Sequence, residues 1–265
     1  MPEVNDKVCK ICGSNDYRSY LRFKDKKKEV VACKACGTFR TLPYYETDYK
    51  EQEFYCEHYI RNERIFRGFA DNLVNIILRY KKEGRLLDIG CAVGFVLEEA
   101  KKKGFKAEGI ELNKKAADIT RSKGFDVNSC AIRNAGYNND SFDVVVLNHI
   151  LEHIAEPHVF LKDIKDIVKK SGILLIGVPN HASLAATLFR RKWYGWGIPE
   201  HIWHFDKNSI GYLLSKNGFK IKALIQNSQY YPFSKSLRKN TRAVIARIGN
   251  IVSAGDQLIA IAGVE

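Results

Sequence analysis

Residues 85–94 read Arg-Leu-Leu-Asp-Ile-Gly-Cys-Ala-Val-Gly, an apolar run that passes directly into a glycine-rich turn. The run has the length and the apolar content of a buried β-strand. From Val93 to Lys103 apolar residues return at helical spacing, and Gly104 marks the end of that helix. A glycine-rich turn between a strand and a helix lets a ligand approach the backbone, because the first N–H groups of the helix have no partner within it. The stretch therefore predicts a ligand-binding turn in an α/β fold.

Predicted strands and helices alternate on both sides of this turn. The strands are apolar and rich in β-branched residues, which is typical of a parallel sheet covered by helices on both faces. After Pro179 the pattern loosens into an aromatic stretch, residues 180–205, which we interpret as a loop insertion. The predicted strands are residues 85–89, 106–111, 125–130, 142–148, 173–178, 219–225 and 256–262. The predicted helices are residues 56–82, 93–103, 114–123, 157–170 and 206–217, with a further basic helix within 234–251.

The chemistry of the turn separates it from a nicotinamide dinucleotide site. That fingerprint, G-x-G-x-x-G, needs glycine at two positions where this chain has Ala92 and Phe95. Asp88 stands at the mouth of the turn, where its carboxylate would repel a pyrophosphate and attract a cationic ligand. Glu111 ends the next strand, 21 residues after Gly90, and an acid there can accept hydrogen bonds from both ribose hydroxyls. These residues predict a positively charged nucleoside as the ligand.

Three motifs resemble the class I S-adenosylmethionine-dependent methyltransferases. The turn DIGCAVG at 88–94, followed by GIELN at 109–113, resembles the cofactor site of that family. SFDVVVLNHILEHI at 141–154 resembles the family's fourth strand, and GILLIGVPN at 172–180 resembles its fifth. The resemblance covers roughly residues 55–225. It implies a Rossmann-like sheet with helices on both faces and S-adenosylmethionine as the methyl donor.

The resemblance also implies which residues contact the cofactor. In the family the glycine-rich turn holds the methionine part, the acid after the second strand holds the ribose, and the segment after the fourth strand lines the pocket. Two positions depart from the family. Ala92 replaces the middle glycine of the turn, and residues 130–132 lack the aspartate that often binds the adenine amine. Carried over, the expected cofactor contacts are Asp88, Gly90, Gly94, Glu111, Asn148 and His149.

Four cysteines near the N-terminus form two closely spaced pairs. Cys9 and Cys12 make one C-x-x-C pair, and Cys33 and Cys36 make a second after 20 intervening residues. Each pair can bring two thiolates to one tetrahedral ion, so the two pairs together predict a zinc-ribbon-like site. Four protein ligands leave no position for water, so the zinc would be structural. Two disulfides are the alternative, which a reducing compartment disfavours.

The aromatic stretch after the fifth predicted strand is the predicted acceptor side of the site, because ligands of open α/β sheets bind at the carboxyl ends of the strands. Residues 193–205 contain all three tryptophans of the chain. A P-E-H-x-x-x-F stretch beside a four-cysteine module resembles a bacterial group of zinc-containing methyltransferases that act on sugars, often nucleotide-linked ones. The resemblance implies His201 as the catalytic base, oriented by Glu200 or a neighbour. The rival histidines near the same strand ends are His149, His153 and His181.

Composition and charge limit the classes of function. The 265 residues include 43 basic and 30 acidic side chains, a formal net charge of +13. No apolar run reaches the roughly 18 residues that a membrane span needs, and the first residues lack an apolar signal segment, so we expect a cytoplasmic protein. The charge fits either solubility or a polyanionic partner, such as a phosphorylated substrate, a nucleic acid or a membrane surface. We expect a zinc-binding module at residues 1–45 and a methyltransferase domain at residues 46–265.

Three functions remain open from the sequence. The first is methylation of a small acceptor, such as a nucleotide-linked sugar or a related intermediate of polysaccharide or natural-product synthesis. The second is methylation of RNA, with the zinc module and the basic surface binding the nucleic acid. Against one form of it, residues 148–151 read Asn-His-Ile-Leu, whereas enzymes that methylate exocyclic base amines tend to have an N/D-P-P-Y/F turn. The third is a cofactor-binding scaffold that pairs with a catalytic subunit.

Overall fold

Strands and helices alternate through most of the chain. The computed structural model describes residues 8–44, 54–228 and 237–265. The strands are β1 (Tyr17–Phe23), β2 (Lys28–Cys33), β3 (Phe39–Leu42), β4 (Gly84–Ile89), β5 (Phe105–Ile110), β6 (Val127–Asn128), β7 (Phe142–Asn148), β8 (Val168–Pro179), β9 (Trp203–His204), β10 (Phe219–Asn227) and β11 (Gln257–Val264). The helices are α1 (Phe54–Arg61), α2 (Glu63–Ile77), α3 (Phe95–Lys102), α4 (Lys114–Ser122), α5 (Pro157–Ile167), α6 (Leu184–Phe189), α7 (Lys207–Lys216) and α8 (Leu237–Ile251). In these described parts no helix is both long and apolar enough to cross a membrane.

Seven strands form the central sheet, in the order β10-β11-β8-β7-β4-β5-β6. The strands from β8 to β6 run parallel to their neighbours, whereas β11 lies between β8 and β10 and is antiparallel to both. The mostly parallel sheet of the predicted α/β fold is therefore confirmed. Because parallel strands point their carboxyl ends to one edge, the turns that follow β4, β5 and β7 meet there.

Successive residues of β7 alternate between the two faces of the sheet, as the pleat of a strand requires. Val145 and Leu147 pack in one hydrophobic core with Leu161 of α5. Val144 and Val146 pack in a second core, which includes side chains of α2 and α3. All of these side chains are fully buried. Burial contributes about 1.5–3 kcal/mol for each such side chain, which explains why both faces of this strand are covered.

The segment predicted as one helix over residues 56–82 forms two helices, α1 and α2, so that prediction is wrong. The helix is interrupted at Asn62, whose side-chain amide donates a 2.9 Å hydrogen bond to the backbone oxygen of His58. An asparagine side chain that bonds to the nearby backbone competes with the regular helical pattern. The second helix ends at Ile77, five residues before the predicted end.

The helix predicted over residues 157–170 ends at Ile167 and is followed directly by β8. Val168 has an extended backbone, with ψ of 127°, and pairs with Phe142 of β7. A β-branched valine suits a strand, so pairing across the sheet replaces the last turn of the predicted helix. The strand predicted over residues 125–130 is reduced to the two residues of β6, at the edge of the sheet.

The insertion predicted as a loop, residues 180–205, contains the helix α6 and the short strand β9. β9 pairs with β3 and completes a four-stranded antiparallel sheet in the order β1-β2-β3-β9, with Phe39 opposite His204. The cysteine-rich segment therefore shares a sheet with the insertion. The predicted boundary between residues 45 and 46 lies outside the described residues, and so do residues 234–236 of the predicted last helix.

Candidate active site

The glycine-rich turn after β4 lies at the carboxyl edge of the central sheet. Gly90 and Gly94 have φ of 78° and 86°, in the left-handed region that favours glycine. A Cβ on Gly90 would collide with the side chain of Ile150, and a Cβ on Gly94 would lie 2.7 Å from the Thr120 side chain. Ala92 is also left-handed, and its carbonyl oxygen accepts a 2.8 Å hydrogen bond from the Thr120 hydroxyl. Close packing on both sides thus fixes the shape of the turn.

Two buried carboxyl groups flank the turn. Asp88 belongs to β4, and Glu111 directly follows β5. Glu111 accepts hydrogen bonds from the backbone N–H groups of Ala92 (2.8 Å) and Asn113 (2.7 Å). Burial raises the pKa of Asp88 to about 7, and the charge of Glu111 adds to the rise. Burial also raises the pKa of Glu111, although the backbone hydrogen bonds oppose it. A cation bound between these groups would favour their ionised forms.

A cavity of about 930 Å³ opens beside the turn, near the upper end of the range for small-molecule sites. Of the predicted cofactor contacts, Asp88, Gly90, Asn148 and His149 line it. Gly94 and Glu111 do not line it, because Gly94 packs against α4 and Glu111 is hydrogen-bonded behind the turn. The other walls include aromatic rings of the first three helices and two cations, namely Tyr59, Phe66, Phe69, Phe95, Lys192 and Arg242.

His149 follows β7 on the cavity wall, with a left-handed φ of 59° and a side chain that is 41% exposed. Its Nδ1 lies 3.1 Å from Oε1 of the buried Glu152, and its Nε2 lies 3.5 Å from the side-chain nitrogen of Gln257. Burial lowers the pKa of His149, but the hydrogen bond and charge of Glu152, with the charge of Asp256, outweigh it and raise the pKa. Burial raises the pKa of Glu152, but the bond to His149 and the charges of nearby histidines hold that pKa at about 2.

The predicted catalytic pair, Glu200 and His201, does not line this cavity. Nδ1 of His201 lies 3.0 Å from the backbone oxygen of Gly195, and its ring centre lies 4.7 Å from that of His153. Burial lowers the pKa of His201 to about 4. Glu200 is exposed, and its backbone oxygen lies 3.1 Å from Nδ1 of His153. The structure thus brings His201 close to His153, and the catalytic role of Glu200 and His201 stays a prediction.

Residues near the end of the chain line the cavity without having been predicted. Gln257 places its side-chain nitrogen 3.3 Å from Oδ1 of Asn148, 109 positions away in the sequence. Asp256 accepts a 2.5 Å hydrogen bond from the hydroxyl of Tyr194. Arg242 of α8 also belongs to the wall. The only signal in the sequence was an acid and an amide at the start of the last predicted strand, because the position of β11 inside the sheet is a long-range property.

The four cysteines predicted to bind zinc come together at one point. The Sγ atoms of Cys9 and Cys36 are 3.8 Å apart, and those of Cys12 and Cys33 are 3.5 Å apart. All four sulfur atoms lie within 4.8 Å of one another, and the four side chains are free thiols. Zinc–sulfur bonds of about 2.3 Å in a tetrahedron separate sulfur atoms by about 3.8 Å. The cluster therefore has the ligand type, number and spacing that a structural zinc ion requires.

The comparison with known families agrees with the geometry of the turn. Residues 60–224 match the model of a family described as a methyltransferase domain, and they make up more than half of the chain. The chain belongs to the methyltransferase domain family. The matched residues include the glycine-rich turn, Glu111 and the segment around His149, so they contain the acidic side and the histidine side of the cavity.

Two curated relatives of this chain are named for an O-methylation. The ubiquinone biosynthesis O-methyltransferase of Maricaulis maris (strain MCS10) is 28% identical over 183 residues, which are 63% of this chain and 66% of the relative. The protein of the same name from Caulobacter vibrioides (strain ATCC 19089 / CIP 103742 / CB 15) is 30% identical over 110 residues, 39% of this chain and 44% of the relative. The chain therefore spans less than two thirds of the length of these relatives.

Solved structures share the fold of this methyltransferase. An S-adenosylmethionine-dependent methyltransferase from Archaeoglobus fulgidus has a TM-score of 0.58 and 21% identity, and the match covers 78% of this chain and 99% of that chain. The geranyl diphosphate C-methyltransferase from Streptomyces coelicolor A3(2), crystallised with Mg²⁺, geranyl diphosphate and S-adenosyl-L-homocysteine, has a TM-score of 0.56 and 14% identity, covering 81% and 87%. The family match shows a methyltransferase domain, and these likenesses confirm its Rossmann-like fold.

Proposed function

We propose that this methyltransferase transfers a methyl group from S-adenosylmethionine to a hydroxyl group of a small, sugar-like acceptor that carries negative charge. The observation that carries the proposal is His149, a histidine held by a buried carboxylate on the cavity wall. A hydroxyl oxygen attacks a methyl carbon efficiently only when a base takes its proton, and a histidine is the commonest base for this task. The O-methyltransferase names of the relatives from Maricaulis maris and Caulobacter vibrioides support an oxygen acceptor.

The cofactor would be held at the glycine-rich turn by Asp88, Gly90, Gly94, Glu111 and Asn148, with His149 beside it. When bound, S-adenosylmethionine supplies a methyl group on a positively charged sulfonium, which makes that carbon an electrophile. The two buried carboxyl groups suit this charge, since a cation offsets the burial, and the repulsion by Glu111, that raise the pKa of Asp88. Glu111 already accepts two backbone hydrogen bonds, and a carboxylate has further lone pairs for ribose hydroxyls.

The acceptor would lie against the wall formed by the insertion and the last helix. Lys192 and Arg242 on this wall support an acceptor with a phosphate or diphosphate group, such as a nucleotide-linked sugar. The hydrogen-bonded pair of Tyr194 and Asp256 provides polar atoms of the kind that bind sugar hydroxyls. Binding of a small phosphorylated substrate would thus give a function to two of the positive charges of the chain.

His149 would act as the general base. Its Nδ1–H group would donate to Glu152, and the lone pair of Nε2, which faces the side-chain nitrogen of Gln257 at 3.5 Å, would take the proton once the acceptor hydroxyl displaces that amide. Glu152 would stay ionised and would stabilise the imidazolium that His149 becomes when it holds the acceptor's proton. His201, the base favoured by the sequence, is a weaker candidate for two reasons. Its pKa of about 4 makes it a poor proton acceptor, and it does not line the cavity.

The four cysteines would hold one structural zinc ion, in a module formed by residues 1–45. Cys9, Cys12, Cys33 and Cys36 supply four thiolates, so no coordination position remains for a substrate or a catalytic water. The role of the ion is therefore to stabilise the small antiparallel sheet. That sheet includes β9, which begins two residues after His201.

The pH dependence of kcat/KM distinguishes the two histidines. With His149 as the base, activity rises with pH through a midpoint above 6.5, because only the neutral ring accepts a proton. With His201 as the base, the midpoint lies near 4. The assay measures transfer of a labelled methyl group to nucleotide-linked sugars, and an RNA pool serves as the competing acceptor. Transfer to RNA alone would contradict the proposed acceptor.

Variants of the same groups complete the test. We expect His149→Gln to lower kcat by about 10²–10⁴-fold while calorimetry finds the affinity for S-adenosylmethionine changed only a few-fold. Glu152→Gln removes the carboxylate that raises the pKa of His149, so the acid limb should move to lower pH as the maximal rate falls. His201→Gln is the matched control and should keep the midpoint. An unchanged rate in His149→Gln would remove this residue from the mechanism.

A further inference from the structure

The helices α6 and α8 pack against each other and expose apolar side chains to solvent. On α8, Val244, Ile248 and Ile251 recur at intervals of four and three, which places them on one stripe of the helix. The buried Ala243 and Ala246 lie on the opposite side of the helix and line the cavity. Ile251 is 82% exposed, an unusual state for a large aliphatic side chain. We define the α6–α8 surface as the exposed side chains of α6, of α8, of residues 190–192 and of residue 252. Its apolar members are Leu188, Val244, Ile248, Ile251 and Val252.

The α6–α8 surface is also basic. Arg190, Arg191 and Lys192 follow α6 and are exposed, and Arg242 and Arg247 of α8 are exposed too. Residues 184–199 and 237–255, which include both helices, contain no aspartate or glutamate, although the chain as a whole has 30 acidic residues. The α6–α8 surface therefore combines an exposed aliphatic stripe with cationic side chains, and the two segments that form it contribute no acidic residue.

We propose that the α6–α8 surface docks on the anionic surface of a phospholipid bilayer. Aliphatic side chains enter the boundary between headgroups and acyl chains, while lysine and arginine bind the lipid phosphates. The alternatives fit less well. A second copy of the chain would bring two cationic borders together, and a nucleic acid would gain nothing from aliphatic side chains where aromatic rings are needed for stacking.

Docking in this way brings the cavity to the membrane. Ala185 and Phe189 of α6 and Ala246 of α8 line the cavity, so the helices that touch the lipid also form a wall of the site. If the phosphorylated acceptor proposed above also carries an apolar tail, it would reach the site without leaving the bilayer. The docking step itself needs neither the methyl donor nor turnover, so its test is independent of the reaction proposed above.

Co-sedimentation of the purified full-length chain with lipid vesicles tests this inference. We expect binding to vesicles of phosphatidylcholine with phosphatidylglycerol, weaker binding to phosphatidylcholine alone, and a decrease with added salt. Arg190→Glu with Arg191→Glu should lower the partition coefficient by about tenfold or more. Ile248→Asp with Ile251→Asp should lower it similarly, because a charge replaces each apolar side chain at the interface.

Matched controls are available on α5 and at the start of β8. Lys162→Glu with Lys170→Glu changes the net charge equally at exposed positions, and Val159→Asp removes an exposed apolar side chain; both variants should bind like the wild type. The inference is overturned if the α6–α8 variants bind as strongly as these controls. It is also overturned if the vesicles are not bound, or if the isoleucine variant instead abolishes a dimer seen by light scattering. Binding of the same surface to an RNA oligomer, with no binding to vesicles, contradicts it as well.

Discussion

Asp88 and Glu111 are two acids buried beside one turn, and this arrangement opposes folding when no cation is present. The pKa of Asp88 is raised from 3.8 to about 7, so the folded chain holds a proton that the unfolded chain releases within that range. The free energy of unfolding therefore falls as the pH rises from about 4 to about 7. A ligand with a positive charge would reverse this effect, so, with the cofactor bound here as proposed, we expect the site to favour the sulfonium form over its neutral product.

The substitution Asp88→Asn separates stability from binding. Above pH 7 we expect the unfolding temperature of the unliganded variant to rise by about 2–4 °C, because an ionised buried acid is removed. Near pH 4 the wild type and the variant should unfold at the same temperature, since Asp88 is protonated there. Affinity for S-adenosylmethionine, measured by calorimetry at pH 8, should fall by about tenfold or more. A variant that binds the cofactor as tightly as the wild type would show that Asp88 does not contact the cation.

Single residues were predictable where a short motif contains the chemistry. Asp88, Gly90, Asn148 and His149 all line the cavity, and each belongs to a segment that the sequence identified as a strand end. Gln257 was not predictable, because its position depends on which strands β11 pairs with. Their pairing is set by burial across the whole sheet and leaves no local pattern.

We expect the small antiparallel sheet to depend in part on the cysteine cluster, because Cys9 and Cys33 are buried in the same hydrophobic core as Val31 and Leu42 of β2 and β3. We predict that Cys12→Ser lowers the zinc content from about one ion per chain to none, because three thiolates bind zinc much more weakly than four. The unfolding temperature should fall with it, and a chelator should have the same effect on the wild type. Cys130→Ser, outside the cluster, should change neither quantity. Zinc analysis that finds no metal in the wild type would contradict the site.

Whole helices and strands were easier to predict than their ends. The periodic apolar pattern located α3, α4, α5 and α7, and the capping box at Asp206 marks the start of α7 where the sequence placed it. The ends failed where a side chain or a neighbouring strand competes with the helix, as at Asn62 and Val168. These competitors depend on rotamers and partners that a window of sequence does not contain.

The central sheet is completed by the last strand of the described chain. β11 lies between β8 and β10, and residues from Leu258 to Ala262 are almost fully buried. We predict that a chain lacking residues 257–265 is insoluble or lacks a cooperative thermal transition. Without β11, β8 keeps only its pairing with β7 and exposes an apolar edge. Removing Glu265 alone should have little effect, since this residue is exposed and the deletion removes one backbone hydrogen bond, to the oxygen of Gly218. A soluble truncated chain with the far-ultraviolet spectrum of the wild type would contradict this prediction.

The pairing of β3 with β9 has a consequence for synthesis on the ribosome. The residues that pair, Phe39 and His204, are separated by 165 positions, so β3 emerges long before its partner is translated. Until then β3 has an unpaired edge, and the four cysteine thiols lie beside a sheet that still lacks β9. If the four cysteines bind zinc as proposed, supply of metal during translation bears on yield, because chains made in a zinc-poor cell would keep this edge open for longer.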